Sequence, residues 1–215
     1  MHSVHAFAEK VALVAGASSP IGRAVSMQLA LLGAFVVAVD NGSDGDSDIS
    51  ELRSLGTLAS SVDADVSTKE GADKAVATVD SLFGRIDLLV NCVKIASESA
   101  FFDADAESFE RSVGQTLKAS YLLTGSAVRL MRERPKARIV TIVDGERSGV
   151  LLGGAMSAAV SAMTSALAAE LPTSFRVNAI KVGDPNSPPD DVARAALFLM
   201  SSEATAINGE TLRIG

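Results

Sequence analysis

The chain has 215 residues, 47% hydrophobic and 21% charged; that supplies a large apolar core, excludes a disordered polypeptide and predicts one domain spanning 1–215. A net charge of −7 opposes a nucleic-acid backbone or an anionic membrane surface, both of which need concentrated Lys and Arg. Cys92 is the only cysteine and His2 and His5 the only histidines, so no intrachain disulfide and no zinc ligand set is possible, and a reducing cytoplasmic setting is expected.

The start, Met1 to Lys10, has no long apolar stretch, and no later segment offers 18 apolar residues without polar interruption, so neither export nor membrane spanning is expected. The first β-branched run, Val11–Ala15, predicts a strand, and apolar spacing over Ile21–Leu32 predicts a helix. Strands are then predicted at Phe35–Asp40 and Leu58–Asp63, a helix at Lys69–Phe83 and a strand at Leu88–Asn91. A long helix follows over Glu107–Arg134, then a strand at Arg138–Val143, a helix at Ala155–Leu171, a strand at Arg176–Ile180, a helix at Asp190–Met200 and a last strand at Thr211–Ile214. Gly33, Gly56 and Gly84 fall where helices should end and Pro20 where one should start. Alternation of this kind predicts an α/β fold: a Rossmann-type, doubly wound parallel sheet of about seven strands with helices on both faces.

The first strand runs into Gly16-Ala17-Ser18-Ser19-Pro20-Ile21-Gly22 and then a helix, the order of parts that holds a pyrophosphate at a helix N-terminus. In this turn the chain resembles the short-chain dehydrogenase/reductase family, whose motif reads TGxxxGxG. Gly16 and Gly22 match its outer glycines, Ala15 replaces its Thr and Pro20 its middle Gly. Pro20 removes one N–H donor but suits a helix start, so the phosphate site is expected to be reshaped around the amides of Ile21 and Gly22. Asp40 ends the second strand at the spacing where an acid accepts from the adenosine ribose and repels a 2′-phosphate, which favours NAD over NADP. Asp65-Val66 resembles the family's adenine-contacting pair and Asn91 the first Asn of its NNAG motif, which here breaks into Cys92-Val93-Lys94. Val177-Asn178-Ala179-Ile180 and Asn208-Gly209-Glu210-Thr211-Leu212 extend the resemblance to the end of the chain. It implies a cofactor site built from Gly16, Ser18, Ser19, Ile21, Gly22, Asp40, Asp65, Val66 and Asn91, and no metal.

The resemblance also implies an NAD(P)-dependent oxidoreductase, whose members move a proton with a Tyr acidified by a nearby Lys, position the substrate with a Ser and support a water relay with an Asn. Counting along the helix that closes in Leu167-Ala168-Ala169-Glu170-Leu171 puts Gly153 at the Tyr and Ser157 at the Lys, while Asp144 falls at the Ser and Thr116 at the Asn. With all four changed, a non-catalytic member is the expected reading: a structural subunit beside an active homologue, or a nucleotide-responsive binding protein. The alternative is an oxidoreductase using Lys94 and Asp144 as acid and base, or the same pair filling the substrate space as a plug. Tyr121, the one tyrosine, lies on a stretch that in relatives joins subunits. The substrate lid implied after Gly183 is cut to Asp184–Pro189, which would exclude water poorly. The acids from Asp40 to Glu51 partly fit a calcium loop, but Gly42 and Ser47 break its pattern and a solvated loop is the plainer account. Small residues along Ala155–Leu171 suit close helix packing between subunits, so a homo-oligomer or a hetero-oligomer with an active homologue is expected.

Overall fold

A computed structural model describes residues 6–42, 50, 58–94, 105–132, 136–144, 151–184 and 186–215. Seven strands form one sheet: β1 (Val11–Ala15), β2 (Phe35–Asp40), β3 (Ala59–Asp63), β4 (Leu88–Lys94), β5 (Arg138–Asp144), β6 (Arg176–Val182) and β7 (Thr211–Ile214). Every pairing is parallel and the order is β3-β2-β1-β4-β5-β6-β7, so the winding reverses between β1 and β4. All five residues of β1 are buried, as expected for a parallel sheet covered on both faces.

The helices cover those faces in two sets. On one, α1 (Pro20–Leu31) and the last helix, α6 (Pro189–Met200), pack over Val14, Val36, Val90, Ile142 and Ile180. On the other, α2 (Lys69–Phe83) and α4 (Ala119–Met131) cover Leu13, Val37, Leu89 and Ile139, and α5 (Leu151–Glu170) lies against β6, with Val160 packed between Val143 and Ala179. Local chemistry sets the ends. Ser19 caps α1 with Pro20 in its first turn, Thr68 caps α2, and Gly84 closes α2 in the left-handed region at φ 65°.

The periodic pattern predicts most boundaries to within a residue or two, and it departs from the structure in three places. Strands β4, β5 and β6 run on to Lys94, Asp144 and Val182 because neighbouring strands keep supplying backbone partners there, an interaction that side-chain pattern cannot show. The helix expected over Glu107–Arg134 is α3 (Ala106–Ser112), a π-helical turn (Val113–Lys118) and α4, where a wider turn admits one extra residue. The helix expected from Ala155 begins at Leu151: Gly153 and Gly154 are poor helix formers, but burial of Leu152 in the first turn and Met156 in the second outweighs that preference. Gly56, Pro185 and the acidic loop between Asp44 and Glu51, apart from Ser50, lie outside the described residues.

Helix α5 is 20 residues long with a mean hydropathy of 1.5 over its most apolar window, which length and composition alone would allow to cross a membrane. Leu152, Met156, Val160 and Thr164 bury one side of it, and its outward side presents mainly Ala, Ser and Gly between an exposed Leu151 and Glu170. This is the pattern of a helix packed on a sheet.

Candidate functional site

The Gly-rich turn is held together by its own polar groups. Gly16 has φ 71°, and a Cβ there would stand 2.2 Å from the carbonyl oxygen of Cys92. At Gly22 a Cβ would stand 2.1 Å from the carbonyl oxygen of Gly16. Neither position tolerates a side chain, since helix, turn and β4 meet backbone to backbone. Ser19 Oγ donates to the Gly16 carbonyl at 2.7 Å and accepts from the Gly22 amide at 3.1 Å. The Gly22 amide expected to face a phosphate is therefore engaged by the Ser19 cap. The Ser18 amide donates to Asp40 Oδ2 at 2.5 Å, tying the turn to the end of β2. Pro20 has no N–H, so among the described residues Ile21 carries the turn amide left to meet an anion.

Beside the turn, over the C-terminal ends of β1, β2, β3 and β4, opens a cavity of about 220 Å³. Its walls include Gly16, Asp40, Asp65, Val66 and Asn91, so five of the residues named from the sequence converge on one space. Asp40 offers a carboxylate at its rim. Asp65 accepts from the amide and hydroxyl of Ser67 through one oxygen, which shapes the loop leading into α2 and leaves Val66 as an apolar wall. Asn91 is 1% exposed, and its Nδ2 donates to Thr124 Oγ1 and Thr141 Oγ1, both at 3.3 Å, joining β4 to α4 and β5. Thr124 and Thr141 escape sequence reasoning because nothing local marks two threonines on separate elements as partners of one asparagine.

Across β4 from this cavity, Ser19, Ile21, Cys92, Val93, Ile142 and Asp144 surround a small cleft of about 10 Å³; residues 95–104 and 145–150, which continue from β4 and β5, lie outside the described residues. Lys94 and Asp144 are register partners on neighbouring strands, at the last residue of each. Adjacent register positions of parallel strands share a sheet face, so the two belong to one locus; the Lys94 side chain lies outside the described residues. Burial, the largest effect, pushes the Cys92 thiol up to about 12, and the carboxylates of Asp40 and Asp144 add to it.

The positions aligned with the proton-transfer residues are all in or beside the core. Thr116 sits in the π-helical turn and Ser157 on α5, each fully buried, with no hydrogen-bond partner for either hydroxyl among the described residues. Gly153 is buried one turn before Ser157. Asp144 is half-buried and is the one ionisable group among these four positions.

A separate groove of about 700 Å³ lies between α2, α4 and the end of α5. Tyr121, 62% exposed, stands on its edge with Leu122 and Leu167, while Asp73 accepts from Ser126 at 2.7 Å and pairs with Lys69. The Lys69 and Ser126 hydrogen bonds hold the Asp73 carboxyl below its ordinary value.

Comparison with known proteins agrees with this geometry. The family model described as short chain dehydrogenase matches residues 10–194. An L-rhamnose 1-dehydrogenase (NAD(P)(+)) from Azotobacter vinelandii is 29% identical, the match covering 96% of this chain and 95% of that one. An NAD-dependent glycerol dehydrogenase from Listeria innocua is 30% identical over 96% and 92% of the two chains. Among solved structures, a short chain dehydrogenase from Burkholderia cenocepacia in complex with NADP superposes with a TM-score of 0.88 at 26% identity, covering 97% of each chain.

Proposed function

This chain belongs to the short-chain dehydrogenase/reductase family, and from that premise we propose that it binds an adenine dinucleotide without performing the family's paired hydride and proton transfer. It acts as a nucleotide-responsive binding protein or as the silent subunit of an oligomer in the cytoplasm. The observation that carries this reading is the replacement of the paired acid and cation by Gly153 and Ser157, both buried, with no titratable group in their place. A hydride cannot leave an alcohol carbon unless a base takes the hydroxyl proton, and neither position supplies one. The relatives named above are dehydrogenases, so the loss is argued from this chain's own residues.

The side chains of the first half fit a nucleotide. Asp40 at the rim of the larger cavity can accept from ribose hydroxyls, and its charge would repel a 2′-phosphate, so NAD is favoured over NADP. Both cofactor types occur in the names of similar proteins, which makes Asp40 the discriminating residue. When bound, the dinucleotide supplies hydride chemistry; this chain's residues would hold its adenosine end. The groove beside Tyr121 and the small outward residues of α5 support a second copy or an active homologue as partner, since such surfaces permit close helix approach.

A second reading, acid-base chemistry by Lys94 and Asp144, draws on their shared register. Calorimetry with NAD and NADH, a thermal-shift assay and a turnover screen over sugars and polyols separate the two. Micromolar binding with no change in nicotinamide absorbance supports the silent reading. Turnover lost in Lys94→Ala, with NAD binding intact, would establish the second.

A further inference from the structure

The cavity over the ends of β1 to β4 has a wall that the sequence motifs do not name. Asp65, Val66 and Ser67 form one side of it, in the loop leading into α2, while Gln115, Ala119 and Ser120 form another, from the π-helical turn and the first residues of α4. Helices α2 and α4 pack against each other on one face of the sheet, so both walls border the same space. Gln115 lines it together with the residues four and five places on, which follows from the i→i+5 winding of a π-helical turn running into the regular winding of α4. Ala119 and Ser120 are small and buried, and Gln115 is exposed at the mouth.

The neighbouring polar groups are committed to the protein. The Ser120 hydroxyl donates to the Thr116 carbonyl at 2.8 Å, the Ser67 hydroxyl to Asp65 at 2.6 Å, and Asn91 Nδ2 to Thr124 and Thr141. The Gln115 carboxamide brings one acceptor and two donor hydrogens to this space. In a nucleotide whose phosphate meets the N-terminus of α1 and whose ribose meets Asp40, the base comes next, against the Val66 wall. Resting on the nucleotide-binding reading above, we propose that Gln115 reads that base: its side-chain oxygen accepts from the adenine N6 amino group and its Nε2 donates to N7. Donor meets acceptor at both places. Hypoxanthine and guanine carry an acceptor oxygen at C6, which cannot donate to the Gln115 oxygen, so one of the two bonds is lost. Gln115 is thereby a specificity-determining residue with no part in proton transfer.

Titration calorimetry with ADP and inosine diphosphate, repeated with NAD and nicotinamide hypoxanthine dinucleotide, tests this. The parent is expected to hold the adenine member of each pair about tenfold tighter. Gln115→Leu, or Gln115→Ala should the leucine variant fold poorly, should weaken ADP and NAD more than their inosine counterparts and bring that ratio below about threefold. Asn41→Ala, beside Asp40 at the ribose end, should keep the ratio of the parent. A parent without preference, a preference that the Gln115 variants keep, or one that collapses in Asn41→Ala instead would overturn the inference while leaving the nucleotide-binding reading in place. Failure of all four ligands to bind the parent at millimolar concentration would overturn both.

Discussion

Over the ends of β1 to β4 five residues that the resemblance assigns to a cofactor site enclose a cavity of about 220 Å³; where Ser19 and Ile21 face β4 and β5, the described residues leave a cleft of about 10 Å³. The contrast has a physical source. Gly16 and Gly22 answer to the fold as well as to any ligand: a Cβ at either would strike a backbone oxygen at little more than 2 Å. A chain that had abandoned nucleotides would still keep them, so the glycines testify to the turn; Asp40 serves the turn as well, since its carboxylate accepts from the Ser18 amide. Gly153 and Ser157, which the resemblance sets at the Tyr and Lys positions, are both buried where α5 packs on the sheet.

The strongest way to break this account is Gly22→Ala. Overpacking against the Gly16 carbonyl should cost about 3 kcal/mol or more, lowering the midpoint of thermal unfolding by about 6–12 °C at this chain length. A variant that melts at the parental temperature yet loses nucleotide binding would show that the glycine is kept for the ligand. Next comes Ser157→Lys, which places an ammonium group in a fully buried position; about 3 kcal/mol of destabilisation is expected in urea titrations, because among the described residues no carboxylate partners that position. Combining it with Gly153→Tyr should still give no NAD reduction on polyol substrates, since Asp144 and Thr116 also differ from the family pattern. Turnover in that double variant would mean that the changes at Asp144 and Thr116 do not by themselves abolish the chemistry.

Asp40→Ala sharpens the comparison from the other side. The loss of a charged acceptor should weaken ADP or NAD roughly tenfold in calorimetry, with the unfolding midpoint moving by about 2–4 °C for the lost Ser18 contact, worth about 1 kcal/mol. The smallest effect concerns Cys92. Its thiol is raised to about 12 in the folded chain, above its value of about 8.5 when unfolded. The neutral thiol therefore supports the fold fully below that unfolded value, and this contribution is lost as pH climbs from there towards 12. Urea midpoints between pH 8 and 10 should fall more steeply for the parent than for Cys92→Ser, and iodoacetamide at pH 8 should leave the native thiol unmodified.

Much of the architecture was legible in the chain, because parallel strands buried on both faces read as unbroken apolar runs and helix ends carry Ser, Thr, Pro and Gly. The residues that line the larger cavity were legible too, because they cluster within short local motifs such as Gly16 to Gly22 and Asp65-Val66. The sequence could not show that Ser19 occupies the Gly22 amide, since a cap and a phosphate donor share one motif. Nor could it show the small cleft at Ile21, Ile142 and Asp144, which come from two elements far apart in the chain. The pairing of Lys94 with Asp144 was suggested by resemblance, and their register follows from strand extensions that carry no side-chain signature.

The π-helical turn at Val113–Lys118 works as a phase shift between two helices that share one axis. Each residue of an α-helix advances the side-chain direction by about 100°, so one additional residue re-aims everything after it. Leu123, Ala127 and Met131 reach the sheet because of that offset. Deleting a single residue from the turn would restore regular winding and swing all three off the core together. The core beneath α4 is built to the phase that this turn sets.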